Sequence, residues 1–180
     1  MDIGTKTKVI FFDHSVPDVE TLINNVADDV YVVRHHEQLP DNINVEQIHH
    51  IGFVWKNQWR GKQTPRFPVF GFQDRRKISS IALMFPNLSF IDLVTCDLKR
   101  QGKWAPAFEE LGRVIPPNVE VRFSTDRTGS DTLDGDWELE SHPGVSILVE
   151  YFNGGGFEYN HHLDTTPFCQ SVQDFIDDYS

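Results

Sequence analysis

Cysteine is nearly absent from this chain of 180 residues, which carries only Cys96 and Cys169. Two thiols cannot build a disulfide framework, and neither has metal-ligand companions at short spacing, so a reducing compartment is the expected setting. Long apolar runs are also missing. None approaches the roughly 20 residues that a membrane helix needs. The opening MDIGTKTK leads directly into a strand-like run, with no signal-peptide core. The chain therefore reads as soluble and unexported, without a membrane partner, either cytoplasmic or part of an intracellularly assembled particle. Basic residues are scarce as well: 16 Lys and Arg stand against 27 Asp and Glu, a net charge of -11. This argues against general nucleic-acid affinity, because Lys and Arg supply most phosphate binding, and leaves nucleic-acid binding through residues 56–77 as a third and lesser reading.

The remaining composition, 39% apolar, suits one globular domain that buries roughly two thirds of its unfolded surface. There is no internal repeat and no linker. The domain is expected over residues 1–165, with residues 166–180 forming an acidic tail or a short docking helix through Val172, Phe175 and Ile176.

The charge is uneven. Between positions 56 and 77 lie Lys56, Arg60, Lys62, Arg66, Arg75, Arg76 and Lys77 against one acid, Asp74, interleaved with Trp59, Phe67, Phe70 and Phe72 and preceded by Trp55. Charge runs usually face water, so one reading is a solvated excursion whose aromatics cover the edge of the core. The other is a surface for a protein partner, carried by Trp55, Trp59, Arg60, Arg66, Arg75 and Arg76, because interface centres favour aromatics and arginine.

Hydrophobic patterning predicts an α/β architecture. KVIFF (8–12) is continuously apolar after its first residue, as a strand covered on both faces must be. Ser15, Pro17 and Asp18 then start a helix whose stripe is Val19, Leu22, Ile23 and Val26. Further strands are expected at 30–33, 47–55, 90–96 and 119–124, and helices at 77–85 and 106–115. WELE and SILVEYF read as additional extended pieces. Strands alternating with helices imply a mostly parallel sheet sandwiched between helical layers.

Reactive groups in such sheets gather beyond the carboxyl ends of the strands. Cys96 ends the run FIDLVTC, so it stands where a nucleophile would be held. Three segments sharpen this. VIFFDHSVPDVETLI (9–23), IDLVTCD (91–97) and FSTDRTGSDTLDGDWELE (123–140) resemble, in order and spacing, a domain family of unknown function found at the N-termini of large bacterial surface and repeat proteins. That family is related in fold to the caspase, gingipain and separase peptidases, the clan CD group. Its signature loop is matched here by Asp126, Thr128, Gly129, Asp136 and Trp137.

The resemblance implies a caspase-like central sheet, with strand order 2-1-3-4 over the first four strands, and places Cys96 at the nucleophile position. It also implies a histidine at the end of the third strand, where the family reads His-Ile-Val-Ser-His-Gly. The matching segment here is IHHIGFVW (48–55), so the catalytic position falls on Phe53 or Val54. His49 or His50 matches the family's first, in-strand histidine. Neighbouring strand residues face opposite ways, which sets His49 and His50 apart and weakens His35/His36 and His161/His162 as metal pairs. His14, at the end of the first strand, is the remaining substitute base. Two strand spacings of about 4.8 Å separate it from the fourth strand, beyond hydrogen-bond reach. The acids Asp126, Asp131, Asp134 and Asp136 do not have EF-hand spacing and suit tight turns instead.

No metal and no cofactor are therefore expected. The reading is a non-catalytic caspase-like domain that serves as an interaction or structural component of a larger protein assembly, a virion or other shell being one setting. The alternative is an active cysteine peptidase or hydrolase with Cys96 as nucleophile and His14 as base.

Overall fold

A computed structural model describes residues 6–57, 65–71, 75–95, 98, 102–124, 137–142, 144–153 and 159. Five strands form one parallel sheet: β1 (Lys8–Phe12), β2 (Val30–Val33), β3 (His50–Val54), β6 (Phe90–Val94) and β7 (Glu120–Phe123), in the order β2-β1-β3-β6-β7. Counting long strands only, this is 2-1-3-4-5, which includes the 2-1-3-4 order expected from the sequence. Register is in step across the sheet: Ile10 pairs with Gly52, Gly52 with Asp92, and Asp92 with Arg122. Two short strands, β4 (Val69–Phe70) and β5 (Arg76–Lys77), pair antiparallel apart from it.

Both faces of the sheet are covered, which is why β1, β3 and β6 are apolar at nearly every position. On one face Val9, Phe11, Ile51, Phe53, Ile91 and Leu93 pack with α2 (Ile78–Ala82) and α3 (Ala105–Val114). On the other face Ile10, Phe12, Val54 and Val94 join Leu22 of α1 (Val19–Ile23), Ile147 and Tyr151 of α4 (Ile147–Tyr151), and Trp137. The fold is an α/β sandwich of three layers. No described helix is long and apolar enough to cross a membrane.

Several elements differ from the sequence expectation. SILVEYF, expected as extended because of its Ile, Val, Tyr and Phe, contains the helix α4. Ile147 and Tyr151, four apart, are both buried while Val149 between them is 77% exposed, a helical stripe rather than a strand alternation. WELE contributes one isolated bridge, from Glu138 to Ser146. The helix expected at 77–85 ends at Ala82 and continues as turns bonded from Met84 to Ile81 and from Phe85 to Ala82. β3 begins at His50 because the preceding residues Val45–Gln47 form a 3-10 turn capped by Asn44, whose side chain accepts from the Glu46 N–H.

Candidate functional site

The carboxyl ends of β1, β3 and β6 are tied to one another. The Asp13 N–H donates to the Val54 carbonyl at 2.9 Å and the Trp55 N–H to the Val94 carbonyl at 3.3 Å. Asp13 is buried, and its carboxylate accepts from the Ser15 N–H at 3.2 Å and the Ser15 hydroxyl at 2.6 Å, an Asx-type turn. Ser15 Oγ in turn accepts from the Lys56 N–H at 2.9 Å, which stitches the loop after β1 to the loop after β3. Asp13 and Ser15 thus spend their polar atoms on holding the edge together.

At the end of β3, where a caspase-like site would have its imidazole, stand Phe53, Val54 and Trp55, exposed by 0%, 1% and 4%. Phe53 stacks on Phe11 with ring centroids 4.9 Å apart and leans on Phe70 at the same distance. Val54 belongs to the opposite core. Trp55 meets Phe67 edge-on at 6.1 Å. Each of these side chains is filled in by neighbours.

The described imidazoles lie elsewhere. His14 follows β1, has a 69% exposed side chain, and sets its Nδ1 3.3 Å from Asp13 Oδ1. Its ring is 6.4 Å from that of His35, in the loop after β2. Because β2 flanks β1 on the side away from β3 and β6, His14 associates with the edge opposite to β6. His49 and His50 lie at the amino end of β3: His49 Nδ1 is 3.0 Å from the Asn87 carbonyl, and the His50 ring stacks on Phe90. His142 contacts Ser141 and Glu120, the first residue of β7.

Thr95, fully buried, is the last described residue before the cysteine. Cys96, Trp59, Arg60, Asp126, Thr128, Gly129 and Asp136 lie outside the described residues. Trp137 is buried, with its ring 6.2 Å from Phe152 and 5.8 Å from Tyr159. Of the basic segment's aromatics, Phe67 and Phe70 are described and turn inward: Phe67 stacks on Trp104 at 5.6 Å and meets Phe108 edge-on at 5.2 Å, and Phe70 is buried against Phe53; Phe72 lies outside the described residues. Arg66, Arg75 and Arg76 are exposed, as is Lys77, which donates to Glu110 at 2.9 Å. The outward face at this place is therefore basic, and Trp55 belongs to the core beneath it.

A second polar cluster was not anticipated from the sequence. Beneath α4, Arg122 grips Asp92 with two bonds, Nε to Oδ1 at 2.5 Å and NH2 to Oδ2 at 2.8 Å, and the Tyr151 hydroxyl donates to Asp92 Oδ2 at 2.5 Å. Glu150 approaches Arg122 at 3.6 Å and accepts from Lys8 Nζ at 3.4 Å, while its carbonyl also accepts from Lys8 Nζ at 2.5 Å. The guanidinium of Arg122 lies 4.1 Å over the Phe90 ring, and its NH2 is 3.4 Å from His50 Nδ1.

Two acids and two bases balance one another, as buried charges require. Burial pushes the Tyr151 hydroxyl well above its usual range, with Asp92 adding to the effect. Burial also lowers the His50 pKa; Lys8 and Arg122 push the same way, against Asp92 and Glu150. Burial disfavours the Arg122 charge, but its bonds to Asp92 more than offset that and raise its pKa. With its groups mutually satisfied, the cluster clamps α4 to the sheet. The signal in the sequence was an acid inside FIDLV and a base inside EVRF, each interrupting a strand that is otherwise suited to burial.

Among the described residues no group of three or more His, Cys, Asp or Glu is arranged to hold a metal ion. No family model matches the chain, and neither a curated protein nor a solved structure matches it significantly.

Proposed function

We propose that the chain is a caspase-like domain without peptidase chemistry, acting through its surface as an interaction or structural component of a larger protein assembly. One observation carries this reading: the end of β3 holds Phe53, Val54 and Trp55, all buried. A cysteine peptidase needs an imidazole within hydrogen-bond reach of its thiol, both to raise the thiolate fraction and to protonate the leaving amine. Three core side chains supply neither. Among the described residues His14 is the one imidazole that directly follows β1, and its ring keeps company with His35 at the far side of β1 from β6. The exposed Arg66, Arg75 and Arg76 support the second half of the reading, since they give an acidic chain one basic surface.

The test is the pH dependence of alkylation at Cys96, followed by peptide mass spectrometry with Cys169 as an internal reference. An inactive site gives a rate that rises around an ordinary thiol pKa of about 8.5, or no reaction. A Cys96 rate that is already on its plateau below neutral pH means an activated thiolate, and it would replace this reading with the cysteine hydrolase.

A further inference from the structure

We propose that the cavity at the carboxyl ends of β1 and β2 binds a free α-amino acid whose side chain is apolar and the size of one ring or one branched chain. The cavity encloses about 140 Å³. Its inner wall is Phe11, Val33, Phe70, Ile81 and Met84, contributed by two strand ends, the β4–β5 pair, α2 and the turn that follows it. An apolar void of about 150 Å³ in a protein interior holds a benzene molecule; the cavity here is open at its polar mouth, so its apolar inner part takes a side chain no larger than a single ring or an isobutyl group. The wall is already built: Phe70 meets Phe11 at 6.3 Å and Phe53 at 4.9 Å, and its strand neighbour across β4–β5 is Arg76.

The mouth carries both signs of charge. Arg34 and Arg76 line it together with Glu37, Gln38 and His35. Arg34 is held by Glu20 through NH1, and its backbone N–H donates to Glu37 Oε1 at 3.0 Å, which fixes guanidinium and carboxylate side by side. A purely anionic head would meet Glu37, and a purely cationic one would meet Arg34 and Arg76. A head with an ammonium and a carboxylate on one carbon satisfies both, each through charge-assisted hydrogen bonds. The position agrees with the general placement of small-molecule sites outside the carboxyl ends of parallel strands. The inference does not involve Cys96, and although Arg76 also belongs to the basic face, Arg34 does not, so Arg34→Gln tests this site separately from the proposed function.

The chain has two methionines, Met1 and Met84, so methyl-labelled methionine gives the full-length protein a resonance for the cavity wall, assigned with Met84→Leu. L-phenylalanine, L-leucine and L-methionine are titrated against four controls: N-acetyl-L-phenylalanine, L-phenylalaninamide, glycine and toluene. A saturable shift of the Met84 methyl is expected with the apolar amino acids, at least about tenfold weaker when either charge of the head is removed. Glycine should produce none. Arg34→Gln and Arg76→Gln should each weaken L-phenylalanine by about tenfold; Arg34→Gln should leave the ligand-free Met84 resonance in place, whereas Arg76→Gln, which removes an NH1 group 3.8 Å from Met84 Sδ, is read from the affinity alone. The proposal is overturned if no saturable shift occurs up to the solubility of the amino acids. It is equally overturned if toluene and the two blocked analogues bind as well as L-phenylalanine, or if both arginine variants bind like the parent protein.

Discussion

The ring of Tyr151 lies directly over Gly52: a Cβ built at Gly52 would stand 3.1 Å from Tyr151 Cζ and 3.3 Å from Cε1. Gly52 pairs with Asp92 in the neighbouring strand, and Asp92 receives the Tyr151 hydroxyl, so the absent side chain and the buried acid together make the seat for α4. Gly52→Ala should therefore push the ring off its seat and cost about 1–3 kcal/mol, the usual range for overpacking. Gly112, on the exposed side of α3 with nothing within 4 Å of a built Cβ, is the control. Gly112→Ala should raise stability by about 0.5–1 kcal/mol through helix propensity. Urea unfolding of the two variants checks both signs, and equal effects would mean that Tyr151 yields freely.

Asp92 is fully buried and takes three bonds from Arg122 and Tyr151. Removing one partner leaves a charge uncompensated, so Arg122→Met should lose about 3–5 kcal/mol. Tyr151→Phe, which deletes only a hydroxyl, should lose about 1–2 kcal/mol. Replacing both charges, Asp92→Leu with Arg122→Met, should recover much of the first loss, because an apolar pair of similar volume carries no desolvation cost. A double-mutant cycle in which the losses simply add would show that the two side chains do not act as a unit.

The five strands of the main sheet and the helices α1 and α3 were legible because each is a run of apolar residues with clear punctuation, whereas the short strands β4 and β5 were not expected. KVIFF and FIDLV bury every position after the first, VYVV buries Val30 and Val33, and Pro17, Pro106 and Pro116 mark helix starts and stops. α4 was not legible, since a five-residue helix made of Ile, Leu, Val, Glu and Tyr is too short to show two turns of periodicity and has the composition of a strand. The clamp was half visible. Asp92 and Arg122 stand out in their strands, but their meeting depends on the register between β6 and β7, a relation between segments 30 positions apart. The cavity was invisible for the same reason, because its wall comes from elements that only the topology brings together.

The clamp also predicts a pH response. The lowered pKa of His50 means that its neutral form is favoured in the folded chain, whereas the unfolded histidine protonates around pH 6.5. Below that pH the unfolded state binds more protons, so stability falls as pH drops from about 6.5 toward the folded pKa and then levels. The charged groups around the ring are Asp92, Glu150, Arg122 and Lys8, with Phe90 stacked on it; Asp92 and Glu150 favour the protonated form, while Arg122 and Lys8 oppose it. His50→Gln keeps a neutral acceptor for Arg122 and removes the titration. Chemical denaturation midpoints at pH 7 and about 5.5 should therefore converge more for the variant than for the parent protein; parallel pH profiles would show that His50 does not sense the cluster.

The basic face makes a separate prediction about assembly. Arg66, Arg75 and Arg76 are exposed on a chain of net charge -11, while the described aromatics of the same segment, Phe67 and Phe70, are turned into the core. The affinity that these arginines contribute for a partner at this face comes from charge, which makes it sensitive to salt, since exposed charges are screened within about 8 Å at physiological ionic strength. Arg75→Glu with Arg76→Glu should leave stability within about 1 kcal/mol of the parent, each being a surface change. The parent chain, expressed in full and analysed by light scattering after gel filtration, should be found in a species heavier than a monomer at low salt. That species should dissociate as salt rises, and the double variant should be monomeric throughout. A heavy species that persists in the variant, or one indifferent to salt, would place the assembly contact on another part of the surface.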